Sequence, residues 1–207
     1  MPQATPKTVL ITGAAKRLGR AIALALADQG FAIGVHFNGS QNEATEVATA
    51  IRAKGVKAEI LKADLANEDQ VAMLVSQAQA ALGPVTGLVN NASLFENDSI
   101  FTMTRESWDA HLAVNLRAPA LLTQQFAREL PKGMEGAVVN LLDQRLLKPT
   151  PDFVSYGVSK AGLGWLTLTL AQALAPRIRV NAVAPGPTLP STHQSEAHLD
   201  RKSTRLN

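Results

Sequence analysis

Tyr156 and Lys160 stand four residues apart in "SYGVSKAGL". On a helix that spacing puts a phenol and an ammonium on one face, a turn apart. An ammonium near a phenol favours the phenolate and lowers its pKa, so such a tyrosine can donate or accept a proton near neutrality. An ordinary surface pair has the same spacing. Two facts set this one apart: Tyr156 is the only tyrosine in the chain, and a glycine-rich turn accompanies it. The turn is "TGAAKRLGR", residues 12–20, between the apolar runs "VLI" and "AIALALA". A short strand, a glycine turn and a helix opening make a phosphate cradle, because glycines let backbone N–H groups approach an anion. Gly13 and Gly19 provide that approach, yet Lys16 and Arg17 add two long cationic side chains. The helix dipole disfavours cations at a helix start, which argues against two merely solvated side chains.

The elements that must position these groups alternate along the chain. "KTVLIT", "FAIGVHF", "KAEILKADL", "VTGLVNNA", "GAVVNLL" and "IRVNAVAP" read as six strands. Between them lie helical patterns near residues 18–29, 41–55, 68–82, 106–129 and 154–174. Short apolar runs alternating with helices predict a doubly wound parallel α/β sheet, with ligands at the carboxyl ends of the strands. The chemistry-bearing residues fall at those ends: Thr12 and Gly13, residues 36–40, Asp64, residues 90–93, Asp143, and residues 185–188. Six such ends predict one cleft. No linker or repeat divides the chain, so residues 1–199 form a single expected domain.

Composition narrows the class. The chain has 207 residues, 46% hydrophobic and 18% charged, enough for a substantial core. It has no cysteine, which excludes disulfides and thiolate metal sites. No run approaches the ~20 apolar residues of a membrane span, and the N-terminal apolar run is too short for a signal peptide. A cytoplasmic protein is expected. The sequence pI is about 9.4, but the net charge is only +3, and the last eight residues, "DRKSTRLN", supply three cations and one anion of it. The body is close to neutral, so no nucleic-acid face is expected. Those eight residues also back-translate into a sequence resembling a sequencing-library adapter. Residues 200–207 are therefore expected to be non-native, and the chain to be cut short near Leu199, without a seventh strand and inactive as written. The histidines, His36, His111, His193 and His198, show no ligand spacing; they are expected on surfaces or loops, with no metal.

"TGAAKRLG", "NNAS", "YGVSK" and "NAVAPGP" together resemble the motif set of the short-chain dehydrogenases/reductases, in that family's order, over residues 7–188. The resemblance implies a Rossmann-like sheet of order 3-2-1-4-5-6. It departs from the family at two places: Arg17 replaces the middle glycine of the turn, and Asp143 stands thirteen residues before the tyrosine, where a serine is usual. Both departures resemble the pteridine reductase branch, which is similar to bacterial dihydromonapterin reductases. The resemblance implies NADP(H) as cofactor, with Lys16 facing its 2′-phosphate and Arg17 reaching toward the substrate. The end of strand two, "HFNGS", carries no carboxylate, which suits a phosphate. Gly13, Leu18, Gly19, Asn38, Ser40, Asp64, Leu65, Asn91, Ala92, Pro185, Gly186 and Thr188 are the remaining implied cofactor contacts. Ser93 and Phe95 are implied to bind the substrate beside Arg17. Asp143, Tyr156, Lys160 and Asn115 are implied to be catalytic, Lys160 by lowering the Tyr156 pKa and Asn115 by supporting a water-linked proton path. A mid-helix asparagine also predicts a local backbone distortion there.

The expected function is NADPH-dependent reduction of a pterin-like substrate, such as a dihydropteridine, dihydromonapterin or dihydrofolate. A carboxylate at 143 suits a ring rich in N–H donors better than a carbonyl oxygen. Two alternatives remain: reduction of a ketone or 3-oxoacyl thioester, and a nucleotide-binding protein without turnover. The family pattern also implies a homo-oligomer, a dimer or tetramer paired through the helices at 106–129 and 154–174.

Overall fold

The computed structural model describes residues 7–186. Their six strands are β1 (Thr8–Ile11), β2 (Ala32–Phe37), β3 (Ala58–Lys62), β4 (Val85–Asn90), β5 (Gly136–Leu141) and β6 (Ile178–Val183). They pair in parallel in the order β3-β2-β1-β4-β5-β6, the order that the family resemblance implies. The order reverses between β1 and β4, which opens the crevice where ligands bind in such sheets. β1 and β2 are buried along their whole length. That is why they read as unbroken apolar runs rather than alternating ones.

Helices α1 (Arg17–Asp28) and α2 (Gln41–Arg52) cover one face. Ala23, Ala27, Val47 and Ile51 pack there on Ile11, Ile33 and Val35. Helices α3 (Glu68–Leu82), α5 (Ala118–Glu129) and α6 (Val154–Leu174) cover the other, where Leu74, Leu122 and Phe126 meet Leu10, Leu88 and Val138. Among the described residues, a trough of about 1100 Å³ lies beside α1, lined by Ile22, Leu26, Val89 and Val139 among others. Asp143 and Tyr156 do not line it.

The helix expected over 106–129 is broken into three. α4 (Arg105–Leu112) passes into a π-helical segment, Ala113–Arg117, and then into α5. The irregular turn holds Asn115, at the distortion the sequence predicts. Its side chain is drawn away to the Leu94 backbone, accepting from Leu94 N at 2.8 Å and donating to Leu94 O at 2.9 Å. Wide turns of this kind are common at functional sites.

Candidate active site

At the glycine turn, β1 and β4 are stitched together. Thr12 Oγ1 accepts from the backbone N–H groups of Asn91 and Ala92, both at 3.0 Å. The Asn91 amide donates to Thr12 O at 2.8 Å and Gly13 O at 3.1 Å. Asn91 and Ala92 thus shape the groove floor. Gly13 has φ of +63°, and a Cβ on it would meet Ala92 Cα at 3.0 Å. A Cβ at Gly19 would overlap Gly13 O. Gly13 is there because the backbone turns left-handed, and Gly19 because the helix packs close against that turn.

His36 corrects the expectation of a surface histidine. It is buried at the end of β2, its Nδ1 accepts from Gly13 N at 3.0 Å, and its Nε2 lies 3.1 Å from Ala63 O. One nitrogen accepts and the other donates, so the ring is a neutral prop beneath the turn. Burial lowers its pKa from 6.5 to about 4, against the opposing pull of the Ala63 carbonyl. The signal was available: "AIGVHF" places His36 within a run buried on both faces.

The two cations behave differently. Arg17 has φ of +48°, a left-handed conformation that explains why glycine usually stands there. Holding an arginine so costs about 1 kcal/mol. Lys16 Nζ pairs with Glu43 at 2.7 Å in the first turn of α2. Strand two itself ends without a carboxylate, but the helix after it supplies one beside Lys16. The Lys16 bond holds Glu43 below the ordinary carboxylate range. Nearby, Leu18 and Ser40 are half-buried and Asn38 is exposed. Asp64 caps its own turn, accepting from Ala66 N at 2.9 Å, and Leu65 is buried in the core. Pro185 accepts from Gln144 N at 3.3 Å, with Gly186 against Gln144. Thr188, His193, His198 and residues 200–207 lie outside the described residues.

The second cluster joins β5, the segment after β4, and α6. Tyr156 is buried, and its hydroxyl donates to Asp143 Oδ2 at 2.8 Å. Asp143 Oδ1 accepts from Arg145 N at 2.8 Å. Burial first, and the Asp143 carboxylate second, push the Tyr156 phenol well above its ordinary range; Arg145 opposes them. The expected lowering by Lys160 is corrected here. Lys160 Nζ donates to Leu141 O at 2.7 Å and lies 5.8 Å from the Tyr156 ring centroid. Its own pKa falls to about 8, chiefly by burial, with Asp143 pulling the other way. An ammonium turned to a carbonyl and 5.8 Å from the ring does not offset burial and the Asp143 carboxylate at the phenol.

Asn115 completes a tie between the segment after β4 and α6, donating to Ser159 Oγ at 3.0 Å. Phe95 lies parallel to Phe153 at 4.5 Å and edge-on to Tyr156 at 4.7 Å. Ser93 is exposed, its hydroxyl donating to Leu94 O at 3.2 Å. Three features here have no counterpart in the sequence reading. Arg145 lies against both phenylalanine rings. Phe153 starts α6 with φ of +61°. Asp98 accepts from Ser155 Oγ and from Ser155 N at 3.2 Å. Its buried carboxyl is pushed up by burial, but those bonds outweigh burial and hold it below its ordinary value. His111, also expected at the surface, is fully buried, with Nδ1 2.7 Å from Ser107 O. None of these is marked by a motif; the contacts of His111 and Asp98 with Ser155 span 44 and 57 residues.

Among the described residues, no group of three or more His, Asp or Glu is placed to hold a metal ion. Nor is any helix among them long and apolar enough to cross a membrane. The glycine cradle suits a dinucleotide: the first turn of α1 has no acidic residue, and Lys16 and Arg17 stand where phosphates lie in such folds.

A parallel sheet of this order, a glycine turn at its switch point and a buried tyrosine–lysine pair define a Rossmann-type oxidoreductase. The chain belongs to the short chain dehydrogenase family, whose model matches residues 7–201. It is similar to FolM alternative dihydrofolate reductase 1 from Brucella canis, solved with NADP: 46% identity, TM-score 0.94, covering 98% of this chain and 80% of that one. The Brucella suis protein, also with NADP, is 47% identical, with TM-score 0.86 and coverage of 89% and 76%. A 3-oxoacyl-[acyl-carrier-protein] reductase from Staphylococcus epidermidis is 35% identical over 181 residues, 87% of this chain and 74% of its own length.

Proposed function

We propose that the protein is an NADPH-dependent reductase of a pterin-like substrate. The observation that carries this reading is the 2.8 Å bond from the Tyr156 hydroxyl to the Asp143 carboxylate. A carbonyl substrate needs a donor beside the tyrosine, and Asp143 presents an acceptor instead. A pterin offers paired N–H donors, which a carboxylate binds well. Similarity to two FolM proteins supports the same substrate class.

NADPH supplies the hydride. The chain's own residues do the rest. Gly13, Gly19 and Asn91 keep the backbone open for the phosphates, and Lys16 and Arg17 bring positive charge to that end. Leu18, Asn38, Ser40, Asp64, Leu65, Ala92, Pro185 and Gly186 border the cofactor. Lys160 holds the ribose. Tyr156 delivers the proton from its hydroxyl, while Asp143 orients that hydroxyl and accepts from the ring. Asn115 fixes the segment that carries Ser93 and Phe95, and Phe95 stacks on the heterocycle with Arg17 across from it.

The similarity to a 3-oxoacyl thioester reductase favours a second reading, in which the substrate is a carbonyl compound. A turnover screen of the full-length gene product with NADPH separates the two. Dihydropterins oxidising NADPH faster than ketones and oxoacyl thioesters supports the first, and the reverse order refutes it. The protein works in the cytoplasm as a homo-oligomer. Trp165 and Leu168, exposed on α6, give that helix an apolar outer face for a second subunit, and a monomer by light scattering would refute this.

A further inference from the structure

The Tyr156–Asp143 pair carries one negative charge while the phenol holds its proton. After the proton passes to the substrate, tyrosinate and carboxylate face each other and the pair carries two. At the 2.8 Å separation of these oxygens, such charges repel strongly unless a cation offsets them. Among the described residues, four charged or titratable groups face Tyr156 from the elements packed around it: Asp143 after β5, Arg145 in the short helical turn Gln144–Leu146, Lys160 on α6 and His111 on α4. Lys160 donates to the Leu141 carbonyl at 2.7 Å, and its remaining donors serve the ribose in the proposed function. His111 is committed to the backbone: its Nε2 accepts from Glu96 N at 3.2 Å.

Arg145 is placed differently. Its Nη1 lies 3.5 Å from Asp143 Oδ2, the same oxygen that receives the Tyr156 hydroxyl. Its own backbone N–H holds the other carboxylate oxygen at 2.8 Å. The guanidinium is 5.2 Å from the Phe95 ring centroid and 4.8 Å from that of Phe153. The side chain is only 20% exposed. Cation–π contact on two rings and an ion pair hold it in one place.

We infer that Arg145 is the counter-charge of the proton-donating pair, holding Asp143 in place and offsetting the second negative charge that appears when Tyr156 gives up its proton. It acts through Asp143 and is a positioning residue. No other reactant is needed: the O–H bond of Tyr156 breaks, the proton bonds to the substrate, and solvent later reprotonates the phenolate. The two aromatic contacts extend the role to substrate fit, since the guanidinium that steadies Asp143 also steadies Phe95.

The inference rests on Tyr156 being the proton donor of the proposed reductase, and its test has an arm independent of substrate. In the full-length protein, Arg145→Met should lower kcat about ten- to hundredfold, the size of one charge-assisted contact, with the NADPH Kd unchanged. Arg145→Lys should recover most of the loss. Guanidinium ion added to Arg145→Ala should recover part of it, a response that a merely structural role does not give. Wild-type kcat in Arg145→Met overturns the inference, as does a folded variant that neither lysine nor guanidinium rescues. Tyr156 is the only tyrosine in these 207 residues, and the difference in ultraviolet titration against Tyr156→Phe reports it alone. Asp143→Asn/Arg145→Met should titrate at higher pH than Asp143→Asn, and equal midpoints overturn the inference. If the wild-type protein reduces ketones but not dihydropterins, the pterin reading fails while the titration still decides the role of Arg145.

Discussion

At the glycine turn nearly every contact involves the backbone: Thr12 and Asn91 bond main-chain groups, and His36 receives the Gly13 N–H. At the proton-donating end the contacts run between side chains: Tyr156 to Asp143, Arg145 to Asp143, Phe95 to Phe153. The first kind of site depends on residues with special backbone freedom and tolerates little change. The second depends on partners brought together by the fold, and its chemistry can be retuned by a single side chain. Replacing the usual serine with Asp143 is such a retuning, and it leaves the turn untouched.

Variants at each end should fail in different ways. The largest effect is expected from Tyr156→Phe. It removes the transferable proton and should reduce kcat by roughly 10²–10⁴-fold. NADPH binding, followed by nucleotide fluorescence, should be nearly unchanged because the turn is intact; parallel loss of both would erase the distinction between the two ends.

A stability effect should come next, at the turn. His36 titrates near 6.5 when unfolded and near 4 when folded, so between those values the unfolded chain binds more protons. Stability from the neutral ring is complete above about pH 6.5 and is lost as pH falls toward about 4, in total roughly 3 kcal/mol. Thermal melts from pH 7 to 4 should show the decline, and His36→Asn should flatten it over that interval. A variant with the same pH slope as the wild type would show that some other group sets it.

The smallest effect is expected at Lys16, whose exposed ammonium already pairs with Glu43. Lys16→Ala should reduce the preference for NADPH over NADH about tenfold, the lower range for a charge-assisted contact. Equal loss of affinity for both nucleotides would place Lys16 away from the 2′-phosphate.

The contrast between the two ends also explains what could be read from the sequence. Gly13 and Gly19 were legible because a turn against a phosphate demands glycine, and a parallel α/β sheet followed from the alternation of apolar runs with helices; Asn91 and the strand order came only with the family resemblance. The distortion at Asn115 was legible from poor helix propensity. The partners of Lys160 were not, because spacing on α6 brings it near Tyr156 but cannot show that the Leu141 carbonyl captures its ammonium. Arg145, Phe153 and Asp98 left no local mark; they matter through side chains that meet only after the sheet and α6 have packed. His36 and His111 were misjudged because polarity suggested a surface, whereas backbone partners satisfy both rings inside.

The account stands most directly on Asp143. The ratio of dihydropterin to ketone turnover with NADPH, measured for the full-length wild-type protein and for Asp143→Ser, isolates its role. A wild-type ratio above one that falls at least tenfold in the serine variant, with ketone turnover kept or raised, is the predicted result. An unchanged ratio would contradict the claim that the Tyr156–Asp143 pair selects a pterin-like substrate.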